Sequence, residues 1–149
     1  MPFALTFEKT GLKALDKRIQ NMKYTLLEQA QYRAMTKIKN IVAKELKSEW
    51  KGAPYKRQGK NLHRNAIVDG VFSIINRKAN GIITSSIGVR RKTKYTYVVN
   101  ILNPGFTTSK GAKIAGLKIH EKVFLIAQRE SALFEKYLED SALKMLNGK

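Results

Sequence analysis

The sequence predicts an α+β fold, with a long N-terminal helix and a C-terminal helix packed on a small, mostly antiparallel β-sheet. Three observations carry this prediction. Apolar residues recur at helical spacing over 24–50 and again over 130–146. Between these stretches lie three runs rich in β-branched and aromatic residues, 66–75, 81–89 and 94–102. The connections between the runs are short, which favours an antiparallel meander. Helices and strands segregated along the chain in this way place the helices on one face of the sheet.

Taken in order, residues 11–22 are expected to form a short first helix. Leu12, Leu15, Ile19 and Met22 recur every three or four residues, and Thr10 stands as the N-cap. In the long helix, Leu27, Ala30, Ala34, Ile38, Ile41, Val42 and Leu46 share one broad face. Arg33, Lys37, Asn40, Lys44, Lys47 and Lys51 form a separate stripe beside it. The stripe reads first as a solvated outer face helped by Glu45 and Glu49, and second as a surface that meets an anion. Gly52-Ala53-Pro54 ends this helix, because Pro54 disfavours helical dihedrals at Ala53. The basic stretch that follows has no period, so a mobile loop is expected over about 53–64.

Strand signals dominate the middle of the chain. Asn80-Gly81 marks a turn before the run Ile82, Ile83, Thr84, Ser85, Ser86, Ile87. Tyr95, Thr96, Tyr97, Val98, Val99 and Ile101 give the third strand, which Asn103-Pro104-Gly105 ends. Residues 106–118 are rich in Gly, Ser, Thr and Lys without a period, so a second mobile loop is expected over about 103–118. Val123-Phe124-Leu125-Ile126 is either a short strand or the approach to the last helix. In that last helix Leu133, Phe134, Tyr137, Leu138, Ala142 and Met145 share a side.

A chain of 149 residues suits a single domain over 1–149, burying roughly 70% of its unfolded surface. Its 43% hydrophobic content is that of a globular protein with a packed core. The absence of cysteine excludes disulfides, thiolate metal sites and thiol nucleophiles, and fits a reducing compartment. The first eight residues lack a basic flank followed by an apolar run, so no signal peptide is expected. No apolar run approaches the ~20 residues that span a bilayer. A soluble protein made in a cytoplasm is the expectation.

Charge is the strongest functional signal. Lys and Arg number 29 against 11 acids, a net +18. Half of the excess lies in 53–94, where ten Lys or Arg face one acid, Asp69. Such a field repels itself unless something anionic lies beside it. Nucleic acid and acidic protein both fit as partners. A membrane face does not, because the basic residues accompany Tyr, Asn and Gly rather than an exposed Trp/Phe/Leu face.

Signals for catalysis are thin. His63 sits in the basic loop and His120 beside Glu121, and no spacing brings the two histidines together as an acid–base pair. Both are expected to face solvent. Glu45 and Glu49 lie one helical turn apart among Lys44, Lys47 and Lys51, which reads as a helix-face charge lattice rather than a carboxylate pair. No phosphate loop, zinc-ligand spacing or nucleophile elbow appears. Neither catalytic, cofactor nor metal residues are assigned, and no enzyme is expected.

The basic residues are the candidate contacts. Lys56, Arg57, Lys60 and Arg64 share one loop, Arg77 and Lys78 sit in a turn, and Arg90, Arg91, Lys92 and Lys94 fill the connection before Tyr95. In a meander the 77–78 turn and the 90–94 connection fall at opposite ends of the sheet, giving two patches. No helix-turn-helix or RNA-recognition signature is visible, so any nucleic-acid contact is expected to be sequence-independent. The bland alternative is charge kept for solubility and partner docking.

This order of elements resembles a family, the small head–tail joining, or tail-completion, proteins of tailed bacteriophages. The resemblance starts at Gly11-Leu12-Lys13-Ala14-Leu15 and runs through the long Ala/Lys-rich helix ending in Trp50. It continues in Ala53-Pro54, Gly59-Lys60-Asn61-Leu62, Ser86-Ile87-Gly88-Val89, Tyr95-Thr96-Tyr97-Val98-Val99 and Val123-Phe124-Leu125 with the helix after it. Where the family usually has a glutamate and a glycine-threonine pair, this chain has Asn100-Ile101-Leu102-Asn103-Pro104-Gly105-Phe106-Thr107, and its closing segment lacks the usual proline.

The resemblance implies a non-enzymatic virion protein at the head–tail junction or in the tail, made in the host bacterial cytoplasm. It implies a homomeric ring, of six subunits, stacked on other neck and tail proteins, with phage DNA passing non-specifically through the lumen. On that expectation the ten basic residues named above contact lumen DNA or an acidic partner, and the 106–118 segment docks on a neighbour. The competing readings are a sequence-nonspecific nucleic-acid-binding protein and, more remotely, an RNA-cleaving toxin-like enzyme using His63 and His120.

Overall fold

Helix α1, Tyr24–Gly52, is the spine of the molecule. A computed structural model describes residues 3–7, 24–53, 62–78, 82–90 and 98–148. The expected helix over 11–22 lies outside them. On α1 the predicted apolar face is buried: Ala30, Ala34, Ile38, Val42 and Leu46 are fully enclosed, and Leu27 and Ile41 are half-buried. Gln31, Met35 and Trp50 are buried as well. The covered arc is therefore wider than one face, because α1 packs on a sheet and also on the two C-terminal helices. The basic stripe from Arg33 to Lys51 is exposed along its whole length.

The sheet contains β1 (Phe3–Phe7), β2 (Val71–Arg77) and β3 (Ile83–Val89), all antiparallel, in the order β1-β3-β2. Its central strand is the run predicted after Asn80-Gly81. In β3 the alternate residues Ile83, Ser85, Ile87 and Val89 are buried, as a strand packed on a helix requires. Register pairs Val71 with Val89 and Arg77 with Ile83, and Lys78 N–H donates to the Ile82 carbonyl at 2.9 Å.

The strand β1 was not expected from the sequence, and four further segments depart from the sequence reading. Residues 66–69 are helical, not extended: α2 spans Leu62–Asp69 and enters β2 through Gly70, whose N–H donates to the Ala66 carbonyl at 2.9 Å. Burial of Ile67 against the core fixes that turn, so packing overrides the strand propensity of Ile67-Val68. The same helix places 62–64 outside any loop. Residues 99–102 are likewise helical, forming the single turn α3 (Val99–Leu102) where a strand was expected. Val98 and Val99 are buried there.

The expected mobile loop over 103–118 is an ordered hairpin, with β4 (Gly105–Thr107) antiparallel to β5 (Lys113–Ala115). Its turn is closed by Gly111 N–H to the Thr108 carbonyl and by Thr108 N–H to the Ala112 carbonyl. The strands are three residues long, too short to show alternation in sequence. At the hairpin base Gly105 has φ +88°, and a Cβ on it would sit 2.5 Å from the Gly116 nitrogen. The two chains approach there as only glycines permit.

The last helix is two helices. α4 spans Ile119–Ala132 and α5 spans Phe134–Leu146, broken at Leu133. The 123–126 run is therefore helical. Phe134, Leu138 and Ala142 are buried, as their shared side predicts, while Leu133 at the break is exposed. Residues from α1, α2, β3, α3, α4 and α5 join in one hydrophobic core. The α+β class is as predicted. Among the described residues no helix is long and apolar enough to cross a membrane.

Candidate functional site

The β2–β3 hairpin places the described basic candidates Arg77 and Lys78 at one end and Arg90 at the other. At one end Arg77 and Lys78 are exposed beside the start of β3. The Arg77 guanidinium lies over the ring of Tyr32 on α1, 4.7 Å from its centroid, an arrangement that favours a fixed cation. The cavity beneath, bounded by Glu28, Gln31, Arg77, Lys78 and Ile83, is only about 40 Å³. At the other end Arg90 is exposed, and its N–H donates to the Gly70 carbonyl at 2.9 Å. Seven-residue strands hold the two ends about 20 Å apart. Arg64 belongs to α2, the helix that leads into the Arg90 end. Lys56, Arg57, Lys60, Arg91, Lys92 and Lys94 lie outside the described residues.

His120 is buried, not solvent-facing. Its ring meets that of Trp50 edge-on, centroids 6.0 Å apart and planes at 90°. The cause is its place in α4. Lys118, the residue before this helix, is left-handed at φ 50° and supplies no side-chain cap. The cap comes from Asn103 instead, whose Oδ1 accepts from the His120 N–H at 2.9 Å. Asn103 Nδ2 donates to Glu121 Oε2 at 3.0 Å, and the Asn103 carbonyl accepts from Lys118 N–H at 3.0 Å. These bonds hold Asn103 at φ −67°, ψ −51°, helical dihedrals that the following Pro104 disfavours. The Glu121 carboxyl is held below its ordinary value, chiefly by its own backbone N–H, with the Asn103 amide and the charges of His120 and Lys118 adding to it.

A cleft of about 450 Å³ opens where the end of α1 meets the start of α4. Ser48, Glu49, Ala53, Leu117, Ile119 and Lys122 line it, and Glu49 pairs with Lys122 at 3.9 Å across its lip. The cleft offers one hydroxyl, one carboxylate already engaged by an ammonium, and apolar walls. Of the two carboxylates one turn apart on α1, Glu49 is the one that faces this cleft and Lys122. Among the described residues no cluster of His, Asp and Glu is arranged to hold a metal ion.

A second polar constellation ties the C-terminal helices to α1. The Tyr137 hydroxyl donates to Glu130 Oε2 at 2.7 Å, and Arg129 Nη2 lies 3.3 Å from Glu130 Oε1. Lys37 of the basic stripe sits 4.0 Å from the Tyr137 ring centroid. Glu130 is buried, and its acceptance of the phenolic proton raises the Tyr137 pKa, with burial adding to the shift. Neither this network nor the Asn103 cap was signalled by sequence. Seven residues separate Glu130 from Tyr137, and Asn103 read only as the end of a strand.

In the β4–β5 hairpin every strand residue except Gly105 is exposed. Phe106 and Ile114 face each other across its strands, 40% and 46% exposed, and its substantial packing outside itself is on α3. No family model, curated protein or solved structure matches the chain.

Proposed function

We propose that this protein is a structural subunit of a tailed-phage virion, assembling as a homomeric ring at the head–tail junction around the passage of the genome. The observation that carries the reading is the β4–β5 arm. A two-stranded hairpin is marginally stable in water on its own. This one holds a cross-strand pair of large apolar residues, Phe106 and Ile114, that the described residues leave 40% and 46% exposed. A neighbouring subunit supplies their cover. The unpaired outer edge of β2, among the described strands, offers a second place for chain-to-chain pairing.

The net charge of +18 supports an anionic neighbour, which many copies around one genome would share. So does the order of sequence elements that resembles the head–tail joining family. Exposed cations at both ends of the sheet, Arg77 and Lys78 against Arg90, suit contacts above and below a ring. The same cations support a second reading, a sequence-nonspecific nucleic-acid-binding protein acting alone. The RNA-cleaving reading gains nothing from His120, whose ring is buried against Trp50.

Sedimentation velocity and native mass spectrometry of the purified protein test the proposal. A closed oligomer is expected, and Phe106→Asp should reduce it to monomers while leaving far-UV circular dichroism unchanged. Virus lacking the protein should yield DNA-filled heads with unjoined or defective tails. Normal infectious particles in its absence refute the role.

A further inference from the structure

Helix α1 carries five cations, Arg33, Lys37, Lys44, Lys47 and Lys51, in one line on its solvent side, and all are exposed. At about 100° per residue they fall within roughly 80° of arc. From Arg33 to Lys51 the line is about 27 Å long at the helical rise. Asn40 lies within it, Thr36 and Ser48 border it, and no acid interrupts it. Glu49 turns away to Lys122, and Glu45 lies about 120° round the helix.

This is an unusual way to build a solvated face. Opposite charges three or four residues apart stabilise a helix by a few tenths of a kcal/mol, and like charges at those spacings cost as much. Here Arg33 and Lys37, Lys44 and Lys47, and Lys47 and Lys51 are like-charged at those spacings. Lys37 is engaged by the Tyr137 ring. Among the described residues Arg33, Lys44, Lys47 and Lys51 make no ion pair.

We propose that this stripe is a surface along which a nucleic-acid backbone lies, read by its phosphates and not its bases. The composition of the strip selects that partner over an acidic protein. Protein interfaces have aromatic and apolar anchors at their centres and few lysines there. Between Arg33 and Lys51 the strip has no aromatic or leucine, only cations and the small polar side chains of Asn40, Thr36 and Ser48. Phosphate oxygens need nothing more. The length of the stripe matches about eight base-pair steps of duplex at 3.4 Å each. The inference rests on the anionic-neighbour part of the function proposed above, and not on ring closure.

The test uses full-length protein and a fluorescent 30-base-pair duplex of arbitrary sequence, with anisotropy read from 50 to 200 mM NaCl. Lys44→Gln/Lys47→Gln/Lys51→Gln should lower affinity at 50 mM about tenfold and flatten the slope of log K against log salt by about 2.7, or 0.9 per lost phosphate contact. A control with the same charge change on α4 and α5, Lys122→Gln/Lys136→Gln/Lys144→Gln, should lose much less on both counts. Equal losses in the two variants overturn the assignment, as does an absence of duplex binding by the wild type at 50 mM. Stripe-dependent capture of poly-glutamate in preference to duplex overturns it in favour of an acidic protein. Sedimentation of the same samples separates the two proposals. A ring whose duplex binding ignores the stripe removes the stripe alone, and a monomer that binds duplex through it removes the ring alone.

Discussion

Tyr137 shows how one hydroxyl joins three helices. Its ring receives Lys37 from α1, while its O–H satisfies the buried Glu130 across the α4–α5 break. Leaving a buried acceptor without its donor costs about 1–3 kcal/mol, so Tyr137→Phe should destabilise the protein by that amount in urea titrations at neutral pH. The sign of the pH dependence follows from the raised phenol pKa. A group whose pKa is higher folded than unfolded stabilises fully below its unfolded value and loses that contribution as pH rises through the folded one. The gap between wild type and Tyr137→Phe should therefore be constant below pH about 9 and close above pH about 10, where the free phenol titrates. A gap that widens with pH would contradict the Glu130 bond. Asn103 teaches a related lesson about legibility. Read locally, Asn103-Pro104-Gly105 is a strand end and a turn, but its side chain caps a helix that begins sixteen residues later at Ile119. Nothing in a linear reading announces a partner at that distance.

Among the elements, the hairpin β4–β5 depends on two glycines for different reasons. Gly105 has φ +88° and its missing Cβ makes room for the Gly116 backbone, whereas Gly111 has φ +79° with open space around it. Gly111→Ala should cost only the left-handed conformation, about 1–2 kcal/mol of local stability. Gly105→Ala must also displace the opposite strand, so it should abolish amide-exchange protection at Thr108 and the paired hairpin residues while α1 stays protected. Equal effects of the two substitutions would show that the close approach is not what closes the arm. Why this hairpin escaped notice, while α1 and β3 did not, is a matter of length. α1 repeats its apolar spacing over eight turns, and β3 combines alternation with a preceding Asn-Gly. The strands β4 and β5, three residues each, and the one-turn α3 are set by contacts they make after the chain has folded. β1 carries its signal in the sequence, where Phe3, Leu5 and Phe7 alternate with Ala4 and Thr6. The break at Leu133 has no proline or glycine to mark it. Among the described basic candidates, Arg77 and Lys78 lie at the opposite end of the sheet from Arg90, a separation that follows from strand order alone.

On the scale of the molecule, an excess of eighteen positive charges works against compactness. Salt screens exposed charges within about 8 Å at 0.15 M, so it should relieve this repulsion more than it weakens the few ion pairs. Raising NaCl from 0.05 to 0.5 M should increase the melting temperature by several degrees, measured by differential scanning calorimetry at low protein concentration to keep assembly out of the reading. A fall in melting temperature would mean that attractive pairs, and not self-repulsion, dominate the surface.

α1 lies at the centre of all this, with the sheet and the pair α4–α5 both resting on it. β2 and β3, which cover one flank of that helix, follow it in the chain. The other flank is covered by α4 and α5, which come after those strands in the chain. Until α4 and α5 have been made, the flank of α1 that they cover therefore stays bare to solvent, next to a row of lysines.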